Sequence, residues 1–292
     1  MTTHLIIGAS GLVGGHLMEA VKTRGLEVVG TYRTNQVHEM VPVDINQAES
    51  LAALVRSVSP SVIYLPACRA NVDYAELHPD ETYQTNVVGV ANVIKAANQT
   101  GAKLVYFSTD YIFDGRSGPY SEGHPANPVC EYGRQKLFAE HLIATQAQDY
   151  LIVRTTGVYG WERQGKNFIY RLMSVLGSGD TLTVPVDQLG TPTYANNFVR
   201  AVVELALTTH RQVFHVAGTE VADRFEFALE AARSLNLNGD LIRPVSTAEL
   251  GQTAPRPLQA GLRVDKASAS LPFPLMGYHE GLRMMAREMN KD

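Results

Sequence analysis

The chain has 292 residues, of which 45% are hydrophobic and 18% charged, and its formal net charge is −4. This length fits one large α/β unit or two domains of about 150 residues each, and the composition is typical of a globular protein with a large core. Because Lys and Arg form no runs, the mildly acidic charge gives no reason to expect nucleic acid or an anionic membrane as a partner.

The start of the chain and its two cysteines predict a cytoplasmic protein without a metal site. Met1-Thr2-Thr3-His4 has no charged region of the signal-peptide type, and no apolar run approaches the ~20 residues that span a bilayer. Cys68 and Cys130 are too few for a disulfide framework, and the histidines show no metal-ligand spacing.

Short apolar runs alternate with helical patterns over the first half of the chain. Strands are predicted at residues 5–7, 27–32, 41–43, 62–65, 104–107 and 151–153, and helices at 12–21, 51–58, 80–99 and 132–147. The strands are expected to be parallel, because each connecting helix must cover a face of the sheet. With right-handed crossovers this predicts an α/β fold with a doubly wound, Rossmann-type parallel sheet, forming a dinucleotide-binding domain over residues 1–155.

After residue 155 the regular alternation ends and glycines and prolines become frequent. Helices are predicted near 167–176, 196–207 and 224–235, a strand at 213–216, and an amphipathic helix after Pro274. We interpret residues 156–292 as a smaller, irregular C-terminal substrate-binding lobe that is partly interleaved with the first domain.

A G-x-x-G-x-x-G pattern lies between the first strand and the first helix. Such glycines permit a sharp turn, a close approach of the backbone to a pyrophosphate, and tight packing of helix on strand. The free amide groups at the helix start also favour phosphate. A plain glycine turn is the alternative, but the strand before and the helix after it favour a dinucleotide site. The predicted cofactor-binding residues are Gly8, Ser10, Gly11, Leu12, Val13 and Gly14.

The end of the second strand predicts which dinucleotide binds. Thr31-Tyr32-Arg33 offers no acid for the ribose of NAD, whereas Arg33 suits the 2′-phosphate of NADP. NADP(H) is therefore preferred and NAD(H) remains possible, with Arg33 as a solvated loop cation as the alternative. Asp44, after the third strand, either contacts the adenine amine or only leads into the next helix.

Tyr132 and Lys136 stand at positions i and i+4 at the start of the helix after the fifth strand. On a helix such side chains lie on one face, one turn apart. A neighbouring ammonium lowers a phenol pKa from about 10 toward the working pH, where a general acid is effective. A surface pair is the alternative, but the place at the sheet edge where ligands bind favours a proton donor.

The segment Ser108-Thr109-Asp110-Tyr111 follows at the carboxyl end of the fifth strand. A hydroxyl group here can hydrogen-bond a substrate carbonyl oxygen and hold it beside Tyr132. An ordinary strand-end turn, capped by the aspartate, is the alternative.

Together these motifs resemble the extended short-chain dehydrogenase/reductase family, and within it the dTDP-4-dehydrorhamnose reductase branch. The resemblance covers nearly the whole chain, and it is carried by residues 108–115, 128–140 and 187–193 and by Arg256-Pro257 with Leu262. The C-terminal third also resembles, more weakly, the regulatory beta subunit of methionine adenosyltransferase, a relative that binds NADP and a partner enzyme.

The resemblance implies a catalytic set. Thr109 would polarise the keto oxygen, Tyr132 would protonate it, and Lys136 would bind the nicotinamide ribose and acidify Tyr132. Hydride would come from NADPH. Beyond the glycine turn, the cofactor contacts are assigned to Arg33, Asp44, Ile45, Leu65, Ala67, Asn86, Tyr132, Lys136 and Thr155. For Asn86 an ordinary polar helix position is an equal alternative.

The substrate contacts implied by the resemblance are Asp110, Tyr111, Gln188 and Arg256, which would touch a nucleotide-linked sugar. For Arg256 a diphosphate contact and a salt bridge between the lobes are equal alternatives. Reductases of this branch tend to carry a tryptophan after the sixth strand that packs on the sugar. Here Gly157 takes that position, and Trp161, the only tryptophan, comes four residues later.

The leading prediction is therefore a homodimeric enzyme that uses NADPH to reduce the 4-keto group of a nucleotide-activated deoxysugar. One alternative is an NADP-binding regulatory subunit without turnover, and another is a nucleotide-sugar epimerase. A 4,6-dehydratase is disfavoured, because its signature adds an Asp-Glu pair after the strand-five threonine, whereas Asp110-Tyr111 follow Thr109 here.

Overall fold

A computed structural model gives the structure of residues 2–289. The elements up to residue 112 are, in chain order, β1 (Thr3–Ile6), α1 (Leu12–Thr23), β2 (Glu27–Tyr32), β3 (Val41–Pro42), α2 (Ala48–Val58), β4 (Val62–Leu65), α3 (Val72–Leu77), α4 (Pro79–Tyr83), a π-helical turn (Gln84–Val88), α5 (Gly89–Thr100), β5 (Lys103–Thr109) and a 3₁₀ turn (Asp110–Ile112).

The remaining elements begin with the helix that carries the tyrosine–lysine pair. They are α6 (Glu131–Gln146), β6 (Tyr150–Thr155), β7 (Val158–Tyr159), α7 (Phe168–Gly177), β8 (Leu182–Pro185), β9 (Leu189–Gly190), β10 (Thr193–Tyr194), α8 (Ala195–Thr208), β11 (Gln212–His215), β12 (Ala222–Asp223), α9 (Arg224–Ser234), a 3₁₀ turn (Gly239–Leu241), β13 (Ile242–Val245), α10 (Thr247–Leu250), α11 (Asp265–Ser270) and α12 (Tyr278–Met289).

Seven parallel strands form the central sheet, in the order β11-β6-β5-β4-β1-β2-β3. The chain order reverses between β1 and β4, and in such sheets ligands bind at the carboxyl ends of the strands beside this reversal. The predicted α/β fold with a Rossmann-type parallel sheet is confirmed. The second lobe adds three two-stranded ribbons, β10-β7, β12-β9 and β13-β8.

Both faces of the sheet are covered, because successive strand residues point to opposite sides. Ile6 and Phe107 join one apolar cluster with α1 and α8, whereas Leu5 and Tyr106 join a second cluster with α2, α5 and α6. A third cluster fills the second lobe. Within residues 2–289, no helix is long and apolar enough to cross a membrane.

The structure differs from the predicted elements in several places, and the short elements β7, β8, β9, β10, β12, β13, α10 and α11 were not predicted. The short helix α3 was not predicted, and the single helix predicted at 80–99 contains a π-helical turn between α4 and α5. β11 and α8 follow residue 155 in the chain, yet β11 pairs with β6 in the main sheet and α8 packs against α1. The chain therefore returns to the first domain before it completes the second lobe.

A buried ion pair fixes α6 against the sheet. The Arg154 guanidinium on β6 donates to both carboxylate oxygens of Glu140 on α6, and Nη2 lies 2.7 Å from Oε2. His215 on the neighbouring strand β11 lies beside it, and burial lowers the pKa of this imidazole to about 4, so that it stays neutral next to Arg154. Because two directional groups are satisfied together, this pair sets the register of α6 on the strands.

Arg154→Met is expected to lower the free energy of unfolding by about 3–5 kcal/mol, because it leaves the Glu140 carboxylate buried without its partner. Arg243→Met, which removes an exposed arginine of β13, is the control and should change it by less than about 0.5 kcal/mol. Urea unfolding followed by circular dichroism measures both variants. Equal losses in the two would contradict the structural role of the pair.

Candidate active site

The glycine turn joins β1 to α1, and two of its glycines are required by the packing of the protein itself. Gly8 has φ +101°, and a Cβ atom there would lie 2.9 Å from the Ala67 nitrogen. A Cβ on Gly14 would overlap the Gly8 carbonyl and lie 2.7 Å from Ala9 Cα. These two positions allow the tight turn and the close packing of α1 on β1.

Gly11 is different, because nothing in the protein requires a glycine there. Its φ of −88° is open to any residue, and a Cβ atom would meet only the Gly8 carbonyl oxygen, at 3.7 Å. Gly11 caps α1 without a side-chain hydrogen bond, and the first turn of α1 carries no acid. The helix end thus presents free amide groups and an uncompensated positive dipole end beside an open surface, which fits the pyrophosphate of a dinucleotide.

A cleft of about 810 Å³ opens at this turn, and it is called the cofactor cleft here because residues predicted to contact the cofactor line it. Of the predicted cofactor residues, Gly8, Ser10, Gly11, Arg33, Ile45 and Ala67 line it. Arg33 is exposed and has no carboxylate within 4.0 Å among residues 2–289. Sequence reasoning missed further lining residues, among them Cys68 and Arg69 after β4.

Three other predicted cofactor residues are engaged by the protein or enclosed in it. Asn86, in the π-helical turn, accepts from the Arg69 amide at 2.8 Å and donates to the Arg69 carbonyl and to Gln135 of α6. Asp44 accepts from the Asn46 amide at 2.9 Å, and Leu65 is 1% exposed at the end of β4. Asn86 therefore braces the loop after β4 against α6.

The loop between β7 and α7 reaches across to the glycine turn, which sequence reasoning did not predict. The Gln164 amide donates to the Ser10 carbonyl at 2.7 Å, and Gln164 also lines the cofactor cleft. The Trp161 carbonyl lies 2.9 Å from His16 Nε2 on α1, and its indole donates to the Met285 carbonyl. Only the three-dimensional path of the chain brings residues 161–164 to residue 10.

Tyr132 and Lys136 lie on the buried face of α6, at 9% and 2% exposure. The Lys136 ammonium donates to the Phe107 carbonyl of β5 at 2.5 Å. The Tyr132 ring packs edge-on against Tyr111, with centroids 5.9 Å apart. Neither of the two clefts described here has Tyr132 among its lining residues, but its ring packs on Tyr111, which lines the second cleft, and Cys68, which lines the cofactor cleft, acts electrostatically on its phenol.

The shift of the Tyr132 pKa has the opposite direction to the predicted one. Burial raises the pKa of Tyr132 above its usual value, and the Lys136 ammonium opposes this by lowering it. Cys68, Tyr106 and Asp110 raise it further. The predicted lowering by Lys136 is present, but burial outweighs it, and the phenol therefore holds its proton at neutral pH.

Thr109 and Asp110 end β5 beside Tyr132. The Thr109 hydroxyl donates to the Asp110 carboxylate and accepts from the Tyr111 amide, each at 3.2 Å. Asp110 is 2% exposed, and burial raises its pKa against the opposing hydrogen bonds of Thr156 and Thr109. Thr155 is paired in register with Thr109 on the neighbouring strand, and its buried hydroxyl has no partner among the described residues.

A second cleft of about 720 Å³ lies between the end of β5 and the second lobe. Asp110, Tyr111 and Gln188 line it, as predicted for substrate contacts. Arg224, the first residue of α9, also lines it and was missed. Its charge lowers the pKa of both Asp110 and Tyr111, against the larger effect of burial. No local pattern marks Arg224, because its place depends on how α9 meets β5.

Arg256 bridges the two lobes. Its guanidinium donates to the Asp73 carboxylate of α3 at 2.8 Å and to the Ala254 carbonyl, and the Arg256 side chain is 6% exposed. The geometry thus shows the inter-lobe salt bridge that was one of the two alternatives for this residue. Among residues 2–289, no cluster of three or more His, Cys, Asp or Glu side chains is placed to hold a metal ion.

Comparison with known proteins gives consistent relatives. A family model described as RmlD substrate binding domain matches residues 2–291. The dTDP-4-dehydrorhamnose reductase of Aggregatibacter actinomycetemcomitans is 29% identical over 91% of this chain and 92% of that protein. Methionine adenosyltransferase 2 subunit beta of Xenopus tropicalis is 30% identical over 90% of this chain and 80% of that protein.

A solved structure shows the same similarity. The crystal structure of dTDP-4-dehydrorhamnose reductase from Bacillus anthracis, in complex with NADP, matches with a TM-score of 0.90 at 29% identity, over 99% of this chain and 100% of that chain. These comparisons confirm the resemblance found in the sequence, including the kinship with NAD(P)-dependent oxidoreductases and with the adenosyltransferase beta subunit.

The glycine turn yields a matched pair of stability variants. Alanine is favoured over glycine in a helix by about 0.5–1 kcal/mol. Gly15→Ala should therefore stabilise the protein by up to about 1 kcal/mol, since its Cβ atom would meet only the Ala9 carbonyl, at 3.8 Å. Gly14→Ala should destabilise it by about 2 kcal/mol through overlap with the Gly8 carbonyl. Urea unfolding measures both, and a change of the same sign in the two variants would contradict this packing.

Proposed function

Because the chain belongs to the RmlD substrate binding domain family, we propose that it uses NADPH to reduce the 4-keto group of a nucleotide-activated deoxysugar. The observation that carries this proposal is the position of Tyr132. Its phenol is under the electrostatic influence of the Lys136 ammonium and of Cys68, which lines the dinucleotide-type cleft, and its ring packs on Tyr111, which lines the second cleft. A proton donor at such a junction suits a reaction between two bound molecules.

The cofactor, when bound, supplies a hydride to the carbonyl carbon and leaves in its oxidised form. Tyr132 donates its phenolic proton to the carbonyl oxygen, so that the ketone becomes a secondary alcohol and the phenol becomes a phenolate. The Thr109 hydroxyl orients the same oxygen, and the Lys136 ammonium stabilises the phenolate by its charge. Solvent then returns the proton to Tyr132.

The second cleft has groups suited to a sugar nucleotide. Burial raises the pKa of Asp110, whose carboxyl group lines this cleft and can hydrogen-bond a sugar hydroxyl. Arg224 adds an exposed cation at the same cleft, which suits a phosphate. The Gln188 amide is directed by Thr247 and Gln252, at 2.9 and 2.6 Å.

A second candidate function is an NADP-binding regulatory subunit with little turnover. It is favoured by the similarity to the beta subunit from Xenopus tropicalis over 90% of the chain. A regulatory subunit would need the glycine turn for its cofactor but would not need the Tyr132 proton. The epimerase alternative is supported only by a shared fold. Homodimer formation and a cytoplasmic location remain predictions.

Tyr132→Phe tests the proposed proton donor. We expect it to bind NADPH normally and to lose turnover of dTDP-4-keto-6-deoxy-L-mannose by about 10²–10⁴-fold, the usual contribution of general acid catalysis. Tyr83→Phe, which removes an exposed hydroxyl on α4, should keep full turnover. NADPH absorbance gives the rate, and protein fluorescence gives cofactor affinity.

The same assay separates the two candidate functions. An unaltered protein that binds NADPH tightly, oxidises none with a panel of nucleotide 4-ketosugars and co-purifies with a synthetase would favour the regulatory subunit. Full turnover by Tyr132→Phe would instead keep a reductase but remove Tyr132 as its acid.

Arg33→Ala tests the preference for NADP(H). If Arg33 contacts the 2′-phosphate, its removal should weaken NADPH binding by about tenfold or more while NADH binding stays within about twofold, because only NADPH carries that phosphate. Lys95→Ala on the exposed side of α5 controls for the loss of one positive charge. Isothermal titration measures the four affinities. Equal weakening for both cofactors would contradict the assignment.

A further inference from the structure

We propose that Tyr106 is a positioning residue for the reaction: its aromatic face holds the Lys136 ammonium at the place from which it acts on Tyr132. This inference rests on the proposed function, in which Lys136 assists Tyr132 as the proton donor. It assigns a role to a buried β5 side chain that neither the glycine turn nor the Tyr132–Lys136 spacing indicates.

The contacts of Lys136 carry the first step. Its side chain is 2% exposed, so water cannot solvate the ammonium as it does at the surface. Nζ donates to the Phe107 carbonyl at 2.5 Å and lies 4.3 Å from the centroid of the Tyr106 ring. No carboxylate of residues 2–289 lies within 4.0 Å of this ammonium. One carbonyl and one ring face are therefore its partners.

The glutamate of α6 that could pair with Lys136 is already paired with another residue. Glu140 stands four residues further along α6, on the same buried face, where a carboxylate often pairs with a lysine. Its two oxygens instead accept from Arg154, at 3.0 Å from Nε and 2.7 Å from Nη2. Glu140 is thus paired with Arg154, and the Tyr106 ring remains as a partner of Lys136.

A ring serves this purpose better than an acid would. A carboxylate beside Lys136 would cancel its charge as seen from Tyr132, and the phenolate would lose its stabilisation. The aromatic quadrupole attracts the cation but carries no net charge, so its field falls off faster with distance. The ring can therefore hold the ammonium while the field of the ammonium still reaches the Tyr132 phenol, whose pKa it lowers.

The other ionisable groups around the site do not replace the ring. The groups that act on the Tyr106 and Tyr132 phenols, besides Lys136 and each other, are Cys68 after β4, Asp110 after β5, and Glu140 on α6. Glu140 is paired with Arg154, and burial raises the pKa of Asp110 toward the neutral form. Cys68 is free.

Tyr106 offers a clean pair of variants, because its ring and its hydroxyl can be removed separately. It is 1% exposed, its hydroxyl has no hydrogen-bond partner among residues 2–289, and burial raises the pKa of this phenol well above its usual value. Tyr106→Phe keeps the ring face, and Tyr106→Leu removes it while leaving an apolar side chain. Tyr106→Met fills a similar volume and replaces the leucine variant if that variant fails to fold.

Lysine NMR measures the contact without any need for activity. The chain has seven lysines, Lys22, Lys95, Lys103, Lys136, Lys166, Lys266 and Lys291, so the ¹³Cε signals of lysine-labelled protein can be resolved, and Lys136→Met assigns the signal of interest. Because the ammonium lies over the Tyr106 ring in the native protein, the Lys136 signal should shift from its native position in Tyr106→Leu and stay close to it in Tyr106→Phe.

Kinetics measure the consequence for the reaction. Displacement of the Lys136 ammonium from Tyr132 should lower kcat by about tenfold or more in Tyr106→Leu while the KM for NADPH stays within about twofold, and Tyr106→Phe should retain the native kcat. A purely structural effect of the substitution would change kcat and KM together and leave the Lys136 signal in place.

The outcomes separate this inference from the function on which it rests. Equal behaviour of the phenylalanine and leucine variants, in either measurement, would overturn the role of the ring. A shifted Lys136 signal in Tyr106→Leu, together with an unaltered protein that reduces no nucleotide ketosugar, would support the ring–ammonium contact and refute the proposed reductase.

Discussion

The candidate active site depends on a buried ammonium that has no carboxylate of residues 2–289 within 4.0 Å. Lys136 is enclosed by the sheet and α6, and its partners are the Phe107 carbonyl and the Tyr106 ring. Burial of an uncompensated charge is costly, so the surroundings must hold it without neutralising it. The helix does this by register: Tyr132, Lys136 and Glu140 follow one another at four-residue spacing on one face, and Arg154 takes the last of them.

The same register brings the two clefts to one phenol. Cys68 follows β4, Asp110 follows β5, and both lie at the carboxyl edge of the sheet near the reversal of strand order. Tyr132 lies between them because α6 begins on that edge and is braced there by Asn86 through Gln135. A shift of α6 by one residue would rotate all three polar side chains away from the strands, which explains why a buried ion pair and a buried amide contact fix its position.

The sequence predicted the features that local spacing determines. The glycine turn, the strand–helix alternation and the Tyr132–Lys136 pair depend on short periods, and the structure places each of them as expected. The sequence could not predict which polar side chains are paired with each other by tertiary contacts. Arg256 bonds Asp73, which is distant in sequence, and Asn86 bonds Arg69 and Gln135. The predicted direction of the Tyr132 pKa shift was wrong for the same reason, because the spacing of two residues does not show how deeply the phenol is buried.

The shape of the second cleft depends in part on Gly157, which lines it and has no side chain. Gly157 has φ +52°, which disfavours a large side chain there, and a Cβ atom would meet only Pro192 Cα, at 3.6 Å. Trp161 cannot fill this space, because its indole donates to the Met285 carbonyl on α12 and it lines the groove beside α1. No tryptophan therefore lines this part of the second cleft. Tyr111 and Phe227 are aromatic residues that line the cleft instead. If this cleft takes the proposed sugar nucleotide, α9 of the second lobe supplies two of the residues that would contact it, Phe227 and the cation Arg224.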